Sequence, residues 1–161
     1  MSVEFAGRVT GLQRSNGGVP KLPVESAVVS AQGMEGDRQR NRRFHGGPTR
    51  ALCLYSLERI DGLVAEGHPI EPGAVGENVT IAGLPWERVR PGARLDIGAV
   101  EVEVTSYTAP CANIAAAFLD GRFVRISQKA HPGWSRVYVR ILREGRIRVG
   151  DPVRLRAPGE R

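Results

Sequence analysis

Val100, Val102 and Val104 alternate with Glu101, Glu103 and Thr105. A period of two puts the valines on one face of a strand and the polar residues on the other. Related patterns recur along the chain. Val3–Gln13 is strand-like through Val9 and Leu12, and turn residues Ser15-Asn16-Gly17-Gly18 follow it. Val24–Ala31 centres on Val28 and Val29, and Ala51–Tyr55 is short and wholly apolar. Asn78–Ala82 carries Val79 and Ile81, Arg94–Ile97 joins Val100–Thr105 through Gly98-Ala99, and Val137–Leu142 and Val153–Leu155 complete the set. Helical spacing is rarer. Ser56 is placed to cap a helix through Leu57, Ile60, Leu63 and Val64 that ends near Gly67. A second helix is predicted from Pro110 through Ile114, Ala117 and Phe118 to Gly121, with proline at its first position, and a short turn of helix around Val124–Lys129. Many short strands, abundant glycine and few helices predict a mainly β fold: a closed or nearly closed β-barrel with two or three short helices at its mouth.

The 161 residues suit a single domain spanning 1–161, with its core at about 9–155 and a loose tail at 157–161. No apolar run approaches the ~20 residues of a membrane helix, and the first residues lack a signal-peptide pattern. Two cysteines at unrelated spacing fit a reducing, cytoplasmic setting. The formal net charge is +6, and its distribution says more than its sum. Arg38, Arg40, Arg42, Arg43 and Arg50 fall within thirteen residues, with His45 among them. Later arginines (Arg136, Arg140, Arg143, Arg146, Arg148, Arg154, Arg156, Arg161) are spread through strand-like sequence, as on a solvated sheet face. Aromatic residues are sparse and not interleaved with the arginines, which argues against base stacking. Neither a nucleic acid nor a membrane is therefore an expected partner.

Cys111 is the strongest candidate for chemistry. It follows Pro110 where strand-like sequence gives way to helix-like sequence, so the expected helix holds it in the first turn. Unpaired N–H groups and the helix dipole there would favour a thiolate, which is both a nucleophile and a soft metal ligand. Cys53 shares a strand face with Ala51 and Tyr55 and reads as a small buried hydrophobe. The turn ending in Lys21 could offer amides and a point charge to an anion, or serve only as a hairpin turn. Between Gly33 and Arg50 lies a long glycine-rich polar segment. Its Arg38 and Arg50 suit bidentate recognition of phosphate or carboxylate. Its His45 could approach a ligand or bond a nearby carbonyl. Asn78 could offer donor and acceptor to a heterocycle, though as a turn residue it needs no function.

Taken in order, Gly18-Val19-Pro20-Lys21, Gly36-Asp37-Arg38, His45-Gly46-Gly47, Gly76-Glu77-Asn78, Pro110-Cys111, Gly145 and Gly150-Asp151 resemble the MOSC domain, the C-terminal region of the molybdenum cofactor sulfurase. The resemblance runs from about Val9 to Val153. It implies a barrel that binds a pyranopterin molybdenum cofactor, with Cys111 either ligating molybdenum or carrying a persulfide. It also implies that Lys21 and Arg38 hold the cofactor's phosphate, with Asn78 and Thr105 or Ser106 nearby and His45 and Arg50 at the same mouth. The implied activity is reduction of small N-hydroxylated compounds, the alternative sulfur delivery. Nothing in the sequence corresponds to the sulfurase's pyridoxal-phosphate region, to a preceding barrel domain or to a ferredoxin-like cysteine set. Pyridoxal phosphate is therefore not expected, and the electron donor or cysteine desulfurase is expected to be a separate protein. Asn41 stands where the purine-reducing relatives lead one to expect an aspartate.

Overall fold

The computed structural model describes residues 3–15, 19–37 and 47–158, and the statements below concern those residues. Eleven strands and one α-helix follow one another along the described chain: β1 (Val3–Arg14), β2 (Leu22–Val24), β3 (Ser26–Ser30), β4 (Gly33–Met34), β5 (Leu52–Ser56), α1 (Leu57–Ala65), β6 (Val79–Ala82), β7 (Arg94–Ile97), β8 (Val100–Tyr107), β9 (Val137–Arg143), β10 (Gly145–Arg148) and β11 (Pro152–Arg156). Seven of them form a ring in the order β11-β7-β8-β9-β5-β6-β1, closed by β1 pairing with β11. Closure leaves the ring without a free sheet edge. β2 continues from β1, and β10, β3 and β4 make a small second sheet. Neighbours in the ring are antiparallel except β5 and β6. A parallel pair needs a crossover, and α1 supplies it.

The alternation along β8 is realised as expected. Val100, Val102 and Val104 are at most 1% exposed, and their polar neighbours sit partly exposed on the outer face. There Glu103 takes Arg140 across the ladder at 2.5 Å. Ser56 caps α1, its hydroxyl accepting from the Arg59 amide at 3.2 Å. Ile60 and Leu63 face the core while Val64 is half exposed. The second predicted helix does not form. Residues 112–126 instead make three short 3-10 turns, interrupted at Asp120 by a left-handed φ of 53°. Ile114 and Ala117, three residues apart, both reach the core. Three-residue spacing stacks on one face of a 3-10 turn, so burial favours that winding. β4 and β10 went unmarked by the pattern because β4 is two residues long and β10 buries only Ile147. No helix among the described residues is long and apolar enough to cross a membrane.

The seam between β11, β7 and β8 carries a buried charge cluster. Arg156 donates to Asp96 at 2.9 and 3.3 Å and lies 3.0 Å from Glu101. The Arg156 and Asp96 side chains are 5% and 6% exposed. Pairs this deep cost much to assemble, but breaking one leaves an uncompensated charge inside. Arg156→Leu should therefore lose about 3 kcal/mol of stability in urea unfolding. Adding Asp96→Asn to it should recover part of that loss. An unchanged unfolding midpoint in the single variant would show that the cluster does not hold the seam.

Candidate functional site

A cleft of about 640 Å³, its open mouth included, lies against the outer wall of the barrel. Its lining brings together Lys21, Arg50, Cys53, Asn78, Cys111, Arg136 and Tyr138, with Val19, Val75 and Ile114 among the apolar walls. Strand geometry explains much of this. Cys53 and Tyr138 sit opposite each other across the β5–β9 ladder. Arg136 is two residues before Tyr138 and so emerges on the same side. Asn78 stands at the mouth of β6, and Cys111 follows the end of β8.

Asn78 is wholly engaged by the protein. Its Oδ1 accepts from the Cys53 amide at 3.0 Å, and its Nδ2 donates to Asp37 at 2.9 Å and to the Gln13 carbonyl at 3.3 Å. Asp37 also accepts from Lys21 Nζ and the Ser15 amide, both at 2.9 Å. Lys21 and Asp37 side chains are 6% and 3% exposed, so the lysine's charge is balanced where it stands. Gly73 sets this arrangement from behind. It sits at φ +88°, a side chain there would collide with the Lys21 carbonyl, and its own carbonyl accepts from the Lys21 amide at 2.9 Å.

The remaining expected site residues fall out differently. Arg50 borders the cleft, its guanidinium 5.5 Å from the centre of the Tyr138 ring. Thr105 does not line the cleft. Its hydroxyl donates to the Thr49 carbonyl, with the Tyr138 carbonyl 3.2 Å away as the alternative acceptor for the same proton, and so steadies the turn (Pro48–Arg50) that carries Arg50. Ser106 pairs with Tyr138 in the β8–β9 ladder and is likewise outside the lining. Arg38 and His45, with Arg40, Asn41, Arg42 and Arg43, lie outside the described residues.

Cys111 is partly exposed and occupies the N-cap of a six-residue 3-10 turn, in extended conformation, with its carbonyl accepting from the Ile114 amide at 3.1 Å. The expected placement in the first turn of an α-helix is thus corrected, and the dipole argument built on it lapses. What surrounds Cys111 is a cleft holding a second thiol and several cationic side chains. Cys53 is buried, as its strand pattern implied, yet it also lines the cleft with Sγ 3.8 Å from the Thr108 hydroxyl. Burial pushes its thiol up.

Arg136 departs furthest from expectation. Placed by its pattern on a solvated face, it is 6% exposed. Nη1 donates to the Val75 carbonyl at 2.6 Å and Nη2 reaches the Ala109 carbonyl at 3.5 Å. Its Nε is buried without a partner. Backbone and aromatic groups hold it in place. Tyr55 and Trp86 donate to the carbonyls of Trp134 and Ser135 at 2.7 and 2.8 Å, and the Thr108 amide donates to the Arg136 carbonyl at 2.9 Å. The alternation of Val137 and Val139 put Arg136 outside the barrel correctly. The loops that then cover it left no mark in the local pattern.

Glu77 is fully buried beside this cleft. The Thr80 hydroxyl donates to one carboxyl oxygen at 3.2 Å and the other oxygen has no partner. Burial pushes its carboxyl up, against the pull of the Gly73 and Glu77 amides and of Arg136. Burial likewise pushes the Tyr138 phenol up to about 12.

The MOSC domain profile matches residues 41–154, and the chain belongs to the MOSC domain family. It is 33% identical over 147 residues to protein YflK of Bacillus subtilis, covering 89% of this chain and 65% of that protein. It is 26% identical over 143 residues to protein YiiM of Escherichia coli, covering 85% and 62% respectively. The chain thus spans less than two thirds of either relative. The crystal structure of YiiM from Geobacillus stearothermophilus superposes with a TM-score of 0.67 at 26% identity, over 95% of this chain and 74% of that one.

Glu77 yields a test of its environment. A carboxyl whose pKa is raised in the folded state releases its proton on unfolding once the pH exceeds the unfolded value. Stability therefore falls as pH rises through that window. As the pH rises above the ordinary carboxylate range the wild-type urea midpoint should decline. Glu77→Gln should flatten the decline and equal or exceed wild type at the upper end. A variant with the same slope as wild type would show that Glu77 ionises freely.

Proposed function

We propose that the chain is a molybdenum-cofactor-binding oxidoreductase that reduces small N-hydroxylated compounds, with Cys111 as the protein's ligand to molybdenum. The observation that carries this reading is the cleft itself: a partly exposed thiol facing a wall rich in cationic side chains. The donor set fits such a group. Among the described residues no three His, Cys, Asp or Glu side chains are grouped to hold a metal by themselves. A metal that arrives already held by an organic cofactor needs only one more ligand, and a thiolate suits a chalcophilic metal. Bound there, the cofactor would supply the redox chemistry that takes oxygen from the substrate.

The protein's part is positional and electrostatic. Cys111 would anchor the group at the cleft. Arg50, and by the family resemblance Arg38, would carry its phosphate, because Lys21 is already balanced by Asp37. Asn78 lines the cleft but would act as a strut, its amide bonded to the Cys53 amide and, through Asp37, linked to Lys21. Thr105 acts through Arg50. Electrons would come from a separate donor protein.

Expression in a host that makes the cofactor, followed by metal analysis, tests the assignment. Wild type should carry molybdenum and Cys111→Ser should carry far less. Molybdenum absent from both proteins defeats the cofactor reading. Equal amounts in both defeat Cys111 as the ligand.

The presence of Cys53 on the same cleft favours a second reading, in which Cys111 receives sulfur from a separate cysteine desulfurase and passes it on. A persulfide on Cys111 would share its cleft with a second thiol. Incubation with a desulfurase and cysteine should then add the mass of one sulfur atom to the Cys111 peptide, removable by reductant. Its absence there removes this role.

A further inference from the structure

We infer that Arg136 is a further anion-recognising residue of the cleft, selecting ligands that bring a negatively charged oxygen group, carboxylate or phosphate, to Cys111.

The charges around the cleft are unequal in their freedom. Lys21 is neutralised by Asp37 at 2.9 Å. Arg50 lies over an aromatic ring near the mouth. Arg136 is buried, and among the described residues no carboxylate stands within ion-pair distance of it. Its two side-chain hydrogen bonds go to backbone carbonyls, and the nearby Glu77 carboxyl, which feels its charge, makes no ion pair with it and is pushed toward the neutral form by burial. The unpartnered Nε leaves one donor unused inside the protein. A buried unpaired guanidinium is costly, and an anion entering the cleft would lower that cost while forming charge-assisted hydrogen bonds. The Arg136 side chain also reaches the Ala109 carbonyl, two residues before Cys111, so the charge and the thiol share one wall. The bonds from Tyr55, Trp86 and the Thr108 amide fix the backbone of residues 134–136, and the Val75 and Ala109 carbonyls hold the guanidinium itself before any ligand arrives. Such preorganisation spares the ordering cost on binding.

The inference extends the cofactor reading by naming what the ligand must carry, yet its test needs no molybdenum, so the two can fail separately. Iodoacetate and iodoacetamide alkylate a thiolate by the same displacement: a carbon–sulfur bond forms, the carbon–iodine bond breaks and iodide leaves. Only iodoacetate is an anion. Alkylation of the metal-free full chain is followed by mass mapping of the Cys111 peptide. The iodoacetate-to-iodoacetamide rate ratio should be at least about tenfold higher in wild type than in Arg136→Gln. Arg136→Lys should retain part of the preference. The iodoacetate rate should saturate with concentration, and inorganic phosphate or acetate should slow it. Stronger protection by phosphate assigns the guanidinium to a phosphate-bearing ligand, and stronger protection by acetate to a carboxylate-bearing one. Equal rate ratios in wild type and Arg136→Gln overturn the proposal. Should Arg136→Gln fail to fold, the wild-type data decide: no saturation and no protection by either anion overturns it as well.

Discussion

The carboxamide of Asn78 accepts from the Cys53 amide, donates to the Gln13 carbonyl and donates to Asp37. One buried side chain thereby joins β1, β5 and the segment ending at Asp37, and through Asp37 it reaches Lys21. Of the groups so joined, Cys53 and Lys21 line the cleft while Gln13 and Asp37 brace them from outside it, and nothing apolar could register them against one another so specifically. Each bond contributes about 1 kcal/mol net, but leaving such partners unpaired inside would cost about 1–3 kcal/mol apiece. The placement of Cys53, Lys21 and the loop from Gly73 to Gly76 follows from that constraint. Asn78 is thus a residue of the site's frame, and its amide is spent before any ligand arrives.

Around this frame the charges divide into those the protein has balanced and those it has not. Arg156 is matched by Asp96 and Glu101 at the seam, and Lys21 by Asp37 beneath the cleft. Glu77 is pushed toward its neutral form by burial. Arg136 makes no ion pair among the described residues and lies in a poorly solvated place, where an electrostatic interaction is worth more than at the surface. A fold that neutralises its other buried cations but leaves this one facing a cleft has built a site that favours negative charge. Membership of the MOSC family links the chain only to molybdenum-cofactor-associated domains in general, and what the cleft binds is proposed from its own chemistry.

Much of the frame was legible along the chain. β7 runs from Arg94 to Ile97 as its pattern implied, β8 shows the valine alternation, and Ser56 caps α1. Lys21, Arg50, Asn78 and Cys111 come together at one cleft, whereas Thr105 and Ser106 stand behind it. The helix expected after Pro110 was misread because its apolar spacing suits either winding, and the core chose the tighter one. Asp37 was visible within the Gly36-Asp37-Arg38 motif, but its role as the shared partner of Lys21 and Asn78 was not. Cys53 was assigned to burial alone because a strand pattern reports which side a residue takes and not what lies against that side.

The chain's local patterns set one layer of the structure: which segments extend, where α1 starts, and which face of each strand is apolar. Those properties depend on residues only a few positions apart, through side-chain period and capping. The tertiary structure alone decided that the outer face of β9 at Arg136 is roofed over. The carbonyl that grips its guanidinium belongs to Val75, 61 positions earlier in the chain. An arginine on the polar face of a strand looks solvated until the covering loop is in place, and that cover is set by the closure of the barrel rather than by the strand's own alternation.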